Sequence, residues 1–228
     1  MKKTRPISHS WWWKVIALVC LLYTYIAGFL GTVPAMPILN ETIRNLFFHV
    51  CMWMSMFVLM TVNVVYGIRY LSTNNSYDDL VAEEAARASM VFGIAGLVTG
   101  MVWANFTWGA PWVNDPQLNG TAATMLLYAA YFILRNAVND EAKKSKLAAI
   151  YSIFAFAMMM VFIMVLPKLT DSLHPGKGGN PGFNKYDLDS NMRMVFYPAV
   201  IGWTLIGVWI MSLRIRFRLV EQSYLEKL

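Results

Sequence analysis

Six runs of about twenty mainly apolar residues dominate the pattern of hydrophobic and polar positions along this chain. They cover residues 11–30, 46–70, 87–107, 120–138, 147–167 and 195–217. None shows the period-two alternation of a membrane β-strand, and each is about as long as the roughly 20 residues that a helix needs to cross the hydrocarbon core. The pattern therefore predicts an all-α polytopic membrane protein, with residues 1–228 forming one domain of six transmembrane helices.

Composition and charge agree with this prediction and orient it. Of the 228 residues, 57% are hydrophobic and 14% are charged, which leaves no room for a separate soluble domain. An even number of spans places both termini on one side, and that side carries fourteen of the nineteen Lys and Arg residues. Because positive residues are retained in the cytoplasm, we expect cytoplasmic termini. The net charge of +6 then follows from topology, and no nucleic-acid partner is implied.

The beginning of the chain has some features of a secretory signal peptide. Lys2 and Lys3 precede an apolar run, and residues 33–35 form a weak cleavage-like sequence. However, the run is about twenty residues long and opens with the tryptophans 11–13, which are typical of an interfacial belt. We therefore expect an uncleaved first helix.

The loop between the third and fourth spans, about residues 103–120, is the most distinctive segment. It carries Trp103, Trp108 and Trp112 and closes with Asp115. Tryptophan is enriched at membrane interfaces without any ligand, and this explains Trp103 well. It explains Trp108 and Trp112 less well, since they lie in a turn rich in Gly and Pro. Flat aromatic faces at the membrane surface suit a large, flat, mostly apolar ligand such as a porphyrin.

The three histidines of the chain add a possible metal function. His49 opens the second span and His174 lies in the last outward loop, whereas His9 lies inward. Taken singly, each is compatible with an ordinary interfacial or loop position. His49 and His174 nevertheless share the predicted outer face with the tryptophan loop. Since imidazole is a common axial ligand of haem iron, we predict these two as a pair of axial ligands.

On these residues the chain resembles the haem exporter protein C (CcmC) family of the haem-handling superfamily. That superfamily is marked by a tryptophan-rich outward loop, the WWD domain, with an outward histidine on each side. The segment His49-Val-Cys-Met-Trp-Met-Ser-Met-Phe57 resembles the family's stretch of His, small residues and Trp-Met-Ser-Met-Phe. Leu173-His174-Pro-Gly resembles its Leu-His-Gln-Gly. The similarity covers nearly the whole chain.

The loop follows the family pattern W-G-x-W-W-x-W-D-x-R-L-T only in part. The predicted haem-contacting residues are Trp103, Trp108, Gly109, Trp112, Asp115, Gln117 and Leu118. The departures are Pro111 and Asn114 in place of tryptophan, Gln117 in place of arginine, and Asn119 in place of threonine. The lost arginine removes a cation that would face a haem propionate. The sequence leaves open which outward cation replaces it: Arg44, Lys168, Lys177, Lys185 or Arg193.

The resemblance implies that the chain binds haem b as cargo and is not an enzyme. Haem would be held at the outer, periplasmic face of the bacterial inner membrane by His49, His174 and the WWD loop. It would then pass to the haem chaperone CcmE for c-type cytochrome maturation. The implied companions are the ATP-binding cassette pair CcmA and CcmB and a small CcmD-like subunit. Nothing in the chain resembles a nucleotide-binding loop.

Three alternatives remain open at this point. The nearest is a CcsA-like or CcmF-like protein of a cytochrome c synthetase, although those are longer and carry further histidines within their spans. A small-molecule permease would usually have ionisable residues or broken helices near the midplane, and the span centres here lack such charges. A membrane cytochrome b normally has paired histidines inside its helices, whereas both candidates here lie at or outside the interface.

Overall fold

The computed structural model describes residues 10–35, 39–174 and 188–225, and in this part of the chain every regular element is a helix. His9, Lys177 and Lys185, which the sequence analysis names, lie outside the described residues. The helices are α1 (Trp12–Leu30), a 3₁₀ helix (Asn40–Phe47), α2 (His49–Thr73), α3 (Ser76–Trp108), α4 (Pro116–Ala137), α5 (Glu141–Met160), a π-helical turn (Val161–Val165), α6 (Leu166–Leu169) and α7 (Ser190–Leu225).

The all-helical prediction is confirmed, because a long helix occupies each of the six predicted places. Five segments are long and apolar enough to cross a membrane: Trp12–Leu30, Asn40–Thr73, Ser76–Trp108, Glu141–Leu169 and Ser190–Leu225. The helix α4 is not among them. Its 22 residues include Pro116, Gln117, Asn119 and several small polar residues, which lower its mean hydropathy.

The helix that contains the third predicted span begins three turns before it, where a loop was expected. The span was expected at 87–107, with a polar and acidic loop before it, but α3 begins at Ser76, where the Asn75 side chain accepts a hydrogen bond from the Tyr77 N–H (3.0 Å). Asp78, Glu83 and Glu84 are buried in this first part of the helix. Hydropathy assigns acidic residues to water, whereas here arginines from other helices pair with them inside the bundle.

Long helices that follow one another in the chain run in opposite directions. His49, at the start of α2, contacts Gly96 near the end of α3, and Gly120, at the start of α4, approaches Phe162 after α5. We call this side of the bundle the cleft end. On the opposite side, Arg135 near the end of α4 contacts Asp79 at the start of α3. We call this side the ion-pair end.

The core lies between α2 and the helices around it. α2 packs against α3, α5 and α7, while α1 packs mainly on α7 and α4 on α5. The fully buried side chains Met56, Leu59, Met60, Tyr128 and Met159 belong to this core. A second cluster, formed by the 3₁₀ helix and the start of α7, contains Phe47, Cys51, Leu188, Met192 and Phe196. It supports the start of α2, where His49 lies.

Candidate functional site

His49 is the first residue of α2 and is held against α3. Its Nδ1 lies 2.8 Å from the backbone oxygen of Gly96 and 3.4 Å from the hydroxyl of Thr99. The ring lies so close to Gly100 that a Cβ placed there would meet the His49 Cε1 at 2.5 Å. Asn45, in the preceding 3₁₀ helix, donates from Nδ2 to the backbone oxygen of Thr99 (3.2 Å). The position of this imidazole is therefore set by α3 as much as by α2.

The glycines of α3 form a groove that receives side chains of α2. A Cβ at Gly96 would meet the Trp53 indole at 2.9 Å, one turn along from the contact between Gly100 and His49. The motif Gly96-x-x-x-Gly100 thus allows close helix packing, and it does so within one chain. Trp53 lies one helical turn after His49, and the two rings are 6.4 Å apart in an edge-to-face arrangement.

His174 lies at the last described position after α6 and is held by Asp115. Its Nδ1 is 3.0 Å from Asp115 Oδ1. Trp108 packs edge-to-face against the imidazole at 4.9 Å, and Trp103 contacts Trp108 at 5.1 Å and lies 6.4 Å from His174. Two of the three loop tryptophans therefore surround the second histidine.

Asp115 joins the tryptophan loop, the start of α4 and the segment that ends in His174. Its Oδ1 accepts from the backbone N–H of Gln117 (2.9 Å) and of Leu118 (3.3 Å), which caps α4, and Pro116 occupies the first helical position. Its Oδ2 accepts from the Ser172 hydroxyl (2.9 Å) and the Leu173 N–H (2.7 Å). The residue is 1% exposed. One carboxylate thus organises both sides of the site.

The pKa values of the pair favour a neutral ring beside an ionised acid. Burial alone raises the pKa of Asp115, but the hydrogen bonds from Leu173, Ser172 and Gln117 and the proximity of His174 outweigh it, so that this pKa lies below its ordinary value. Burial lowers the pKa of His174, and the opposing effect of Asp115 is smaller. Near neutral pH the pair is therefore a carboxylate and a neutral imidazole.

The hydrogen-bond partners also define which nitrogen of each ring carries the proton. The backbone oxygen of Gly96 and the carboxylate of Asp115 can only accept, so the Nδ1 of His49 and of His174 must donate. In a neutral ring, Nε2 then has the free lone pair. An imidazole whose Nδ1–H is held by a carbonyl or a carboxylate is the usual form of a histidine that binds a metal.

Both histidines line one cleft at this end of the bundle. It has an empty volume of about 420 Å³, which includes the open space at its mouth. The lining residues come from α2, α3, α4 and the two loops: His49, Trp53, Leu97, Gly100, Met101, Trp112, Gln117, Leu118, Thr121 and His174. Apart from the two imidazoles, the lining is largely apolar and aromatic. This composition suits a flat hydrophobic ligand that carries a metal ion at its centre.

The structure places the predicted site residues in three ways. Trp112, Gln117 and Leu118 line the cleft together with the two histidines. Trp103, Trp108 and Asp115 contact His174 and hold it. Gly109 does neither: with φ of 80° it ends α3, and a Cβ there would meet nothing within 4 Å. Its place in the pattern is explained by the left-handed backbone that turns the chain into the loop.

No lysine or arginine is found among the described residues that line the cleft. Arg44 donates to the backbone oxygens of Gly28 (2.9 Å) and Gly31 (2.7 Å), so it caps the end of α1 and also pairs with Glu41. Arg193 donates from Nε to the Leu188 oxygen (2.8 Å). Lys168 lies in α6. None of these three lines the cleft, and the other two candidate cations lie outside the described residues.

Sequence reasoning missed part of the cleft wall, namely Trp53, Leu97, Gly100, Met101 and Thr121. Trp53 carries a signal that was available, because it follows His49 by four residues and therefore shares its helix face. Thr121 follows Leu118 by three residues in the same way. Leu97, Gly100 and Met101 carry no such signal, because only the packing of α3 on α2 brings them to His49.

Comparison with known proteins agrees with the family resemblance seen in the sequence. The family Heme exporter protein C (CcmC) matches residues 4–227. Heme exporter protein C of Paracoccus denitrificans is 23% identical over 165 residues, which are 72% of this chain and 68% of that protein. The same-named protein of Rhodobacter capsulatus is 28% identical over 129 residues, 56% of this chain and 53% of that protein.

A second group of relatives has a different name. The cytochrome c biogenesis protein CcsA of Gossypium barbadense is 32% identical over 94 residues, which are 38% of this chain but only 29% of that longer protein. This similarity is thus partial, whereas the family match covers nearly every residue. The chain belongs to the Heme exporter protein C family.

Proposed function

We propose that this chain binds haem b in the cleft between His49 and His174 and delivers it for c-type cytochrome maturation. The observation that carries the proposal is the convergence of the two histidines. They are 125 positions apart in the sequence, yet they line one cleft, and each has its Nδ1 held by an acceptor. In this arrangement the Nε2 atoms of the two histidines would hold the iron, and the apolar lining with Trp112 would contact the macrocycle.

Delivery needs ligands that exchange, and the two histidines differ in this respect. His49 belongs to a long helix and is wedged against Gly100. His174 follows a short helix, and its ring depends on the single carboxylate of Asp115 and on Trp108. We therefore propose that His174 leaves the iron first. Equal haem retention and equal transfer defects in His49→Ala and His174→Ala would contradict this order.

The proposed topology has six spans, with α4 as the fourth, both termini in the cytoplasm and the cleft at the periplasmic face of a bacterial inner membrane. The distribution of charge supports it. Arg69, Arg87, Arg135 and Arg214 all lie at the ion-pair end of the bundle, away from the cleft. A bundle with such an asymmetry inserts with its basic end inward.

The proposed partners are the haem chaperone CcmE as acceptor, with CcmA, CcmB and a CcmD-like subunit as companions. We expect a carrier that is not an enzyme, since two histidine ligands would leave the iron no free position for oxygen chemistry. Any ATP hydrolysis then belongs to a partner subunit.

Absorption spectra of the detergent-purified protein, with and without added haemin, test the central claim. The wild type should show a Soret band with low-spin bands, and these should weaken or shift in both His49→Ala and His174→Ala. His9→Ala is the matched control and should behave as the wild type. A wild-type protein that stays colourless with haemin would overturn haem binding and favour a permease. Haem binding without any loss of c-type cytochromes on deletion would instead overturn the delivery step.

A further inference from the structure

A second cleft lies at the ion-pair end, between α3 and α7, and is lined by three arginines. Its empty volume is about 810 Å³, and the lining residues are Glu84, Arg87, Leu213, Arg214, Phe217, Arg218 and Glu221. A smaller adjoining cleft of about 480 Å³ shares Arg87 and Arg214 and is otherwise lined by Met90 and Phe132. Both clefts are remote from His49 and His174, and the proposed function does not use them.

One buried carboxylate holds these guanidinium groups together. The Glu84 side chain is 1% exposed, and Arg214 Nε lies 2.5 Å from its Oε2. Arg87 Nε and Arg218 Nε lie 4.0 and 3.9 Å from its Oε1. Removing Arg214 would leave the buried carboxylate of Glu84 without its hydrogen-bonded partner at the base of the cleft.

The arginines retain donors for a ligand. Each of the three side chains is between 37% and 45% exposed. Arg214 uses its Nε on Glu84, which leaves its terminal nitrogens to donate. Arg218 has ion-pair distances of 3.7 and 3.9 Å, and its buried Nε finds no hydrogen-bond acceptor among the described residues. Arg87 donates through Nε and Nη2 to Glu83 Oε1 (2.9 and 2.6 Å), so the donors for a ligand come mainly from Arg214 and Arg218.

The cleft lies at the level of the lipid headgroups. Lys14 Nζ lies 4.9 Å from the centre of the Trp11 ring and 5.5 Å from that of Trp209, so that these tryptophans mark the membrane interface on α1 and α7. Arg214 follows Trp209 by five residues, or about 7.5 Å along the helix. The guanidinium groups therefore lie just outside the hydrocarbon, within reach of phosphate groups.

Apolar side chains continue from the arginines toward the hydrocarbon. Leu213 and Phe217 are 50% and 67% exposed on α7. Met90 lies almost one turn deeper than Arg87, and the Arg87 guanidinium lies 5.2 Å from the ring of Phe132. A ligand with an oxyanion head and acyl chains matches both parts of this surface.

We propose that this cleft binds the phosphate group of an anionic phospholipid, with its acyl chains along Met90, Phe132 and Leu213. The terminal nitrogens of Arg214 and Arg218 donate to the phosphate oxygens, and Arg87, which is held by Glu83, lies beside them. Arginine binds phosphate well because its planar donors match two oxygens at once. Basic sites between helices at the membrane surface commonly bind lipid headgroups.

Titration of the delipidated, detergent-purified protein tests the proposal, with native mass spectrometry as the readout. The probes are phosphatidylglycerol, diacylglycerol with the same chains, and inorganic phosphate. We expect phosphatidylglycerol to bind, diacylglycerol to bind much more weakly, and inorganic phosphate to compete only at far higher concentration. Equal binding of phosphatidylglycerol and diacylglycerol would overturn the phosphate contact. Saturation by inorganic phosphate at lower concentration than lipid would assign the cleft to free phosphate and overturn the lipid.

The variant Arg214→Gln/Arg218→Gln should bind phosphatidylglycerol about 10- to 30-fold more weakly. It loses two arginines, and each arginine near the membrane surface adds a similar amount to the binding free energy of an anionic lipid. The matched control is Arg69→Gln/Lys144→Gln, which removes two cations at the same end, each paired with an acid, outside the cleft. It should bind as the wild type, and an equal loss in both variants would overturn a defined site. If the test variant does not fold, adding Glu84→Gln removes the unpaired buried carboxylate, and the same loss is expected.

Discussion

The two ends of this bundle use polar side chains for different purposes. At the ion-pair end, Arg135 donates to both Asp79 and Glu83, and Ser145 donates to Asp79, so that polar groups from α3, α4 and α5 satisfy one another inside the protein. At the cleft end, one carboxylate, Asp115, orders two loops, and the imidazoles keep one nitrogen each for a ligand. The first arrangement links helices inside the bundle, while the second positions His174 at the cleft.

The same difference appears in how each end is packed. At the ion-pair end the side chains are positioned by charge, as in the ion pairs of Arg135 with Asp79 and Glu83. At the cleft end the histidines are positioned by shape: Gly100 allows His49 to approach α3, and Trp108 packs on His174. Substitutions should therefore affect folding at one end and haem affinity at the other.

The largest expected effect is the loss of stability in Arg135→Met. The arginine is 5% exposed, and its removal leaves the carboxylates of Asp79 and Glu83 without their main partner. Breaking a buried ion pair in this way costs about 3–5 kcal/mol of the free energy of unfolding. Chemical unfolding in detergent measures it. Lys144→Met, in an ion pair whose acid is 81% exposed, is the control and should change little. A loss below about 1 kcal/mol in Arg135→Met would contradict the assigned role.

Asp115→Asn should weaken haem binding without unfolding the protein. Asparagine still caps α4, but it presents a weaker acceptor to the Nδ1–H of His174 and leaves fewer bonds to Ser172 and Leu173. Loss of such a supporting carboxylate typically lowers metal affinity about 10- to 100-fold. Titration with haemin, followed at the Soret band, measures the change.

The control for this variant is Asp140→Asn, because Asp140 caps α5 at the ion-pair end by accepting from the Lys143 N–H (2.7 Å). It should bind haemin as the wild type does. Similar haemin affinities for the two variants would show that Asp115 acts only as a helix cap.

Gly100→Ala should displace the ring of His49 by steric contact alone. The added methyl group would lie 2.5 Å from His49 Cε1, so the ring must move. We expect the low-spin bands to shift and the affinity for haemin to fall by roughly tenfold, because a ligating ring tolerates little displacement. Gly202→Ala, whose methyl group would meet Cys20 Cβ at 3.0 Å between α1 and α7, should leave the spectrum unchanged. A wild-type spectrum in Gly100→Ala would show that the contact with Gly100 does not fix the position of His49.

The smallest expected effect is a dependence of stability on pH. The pKa of His174 lies below its ordinary value of 6.5 in the folded protein, so below pH 6.5 the unfolded chain binds more protons there than the folded one does. The contribution of His174 to stability should be constant above that pH and fall below it, by less than about 1.4 kcal/mol per pH unit. The lowered pKa of Asp115 adds no change until much more acidic conditions.

His174→Gln keeps a donor for Asp115 but does not titrate. Unfolding of the haem-free protein at several pH values between 7.5 and 5.5 should therefore show a shallower slope for this variant than for the wild type. Parallel curves would show that His174 titrates alike in both states and is not held neutral by the fold.

Part of the site could be predicted because its signals are local. His49 and Trp112 have residue types and positions relative to the apolar runs that are visible without a structure, and both line the cleft. The contacts of Asp115 with Leu173 and His174 join segments nearly sixty residues apart. No periodicity or composition encodes such a pairing, and without an alignment no signal in a single sequence identifies it.

The sequence by itself determined the helical character of the chain, because long apolar runs can satisfy their backbone groups in a membrane only within helices. It also predicted His49 and His174 as the ligands of a metal-centred cargo, from their residue type and their expected side of the membrane.

Only the tertiary structure decided how far α3 extends and what the glycines do. Hydropathy ends a span at the first acidic residues, whereas partners from α4 and α7 let Glu83 and Glu84 remain helical and buried. The packing of α3 on α2 likewise brings Gly100 to His49. These outcomes depend on neighbours that are distant in the sequence, and the free energy of a buried charge or of a close helix contact is defined only once those neighbours are in place.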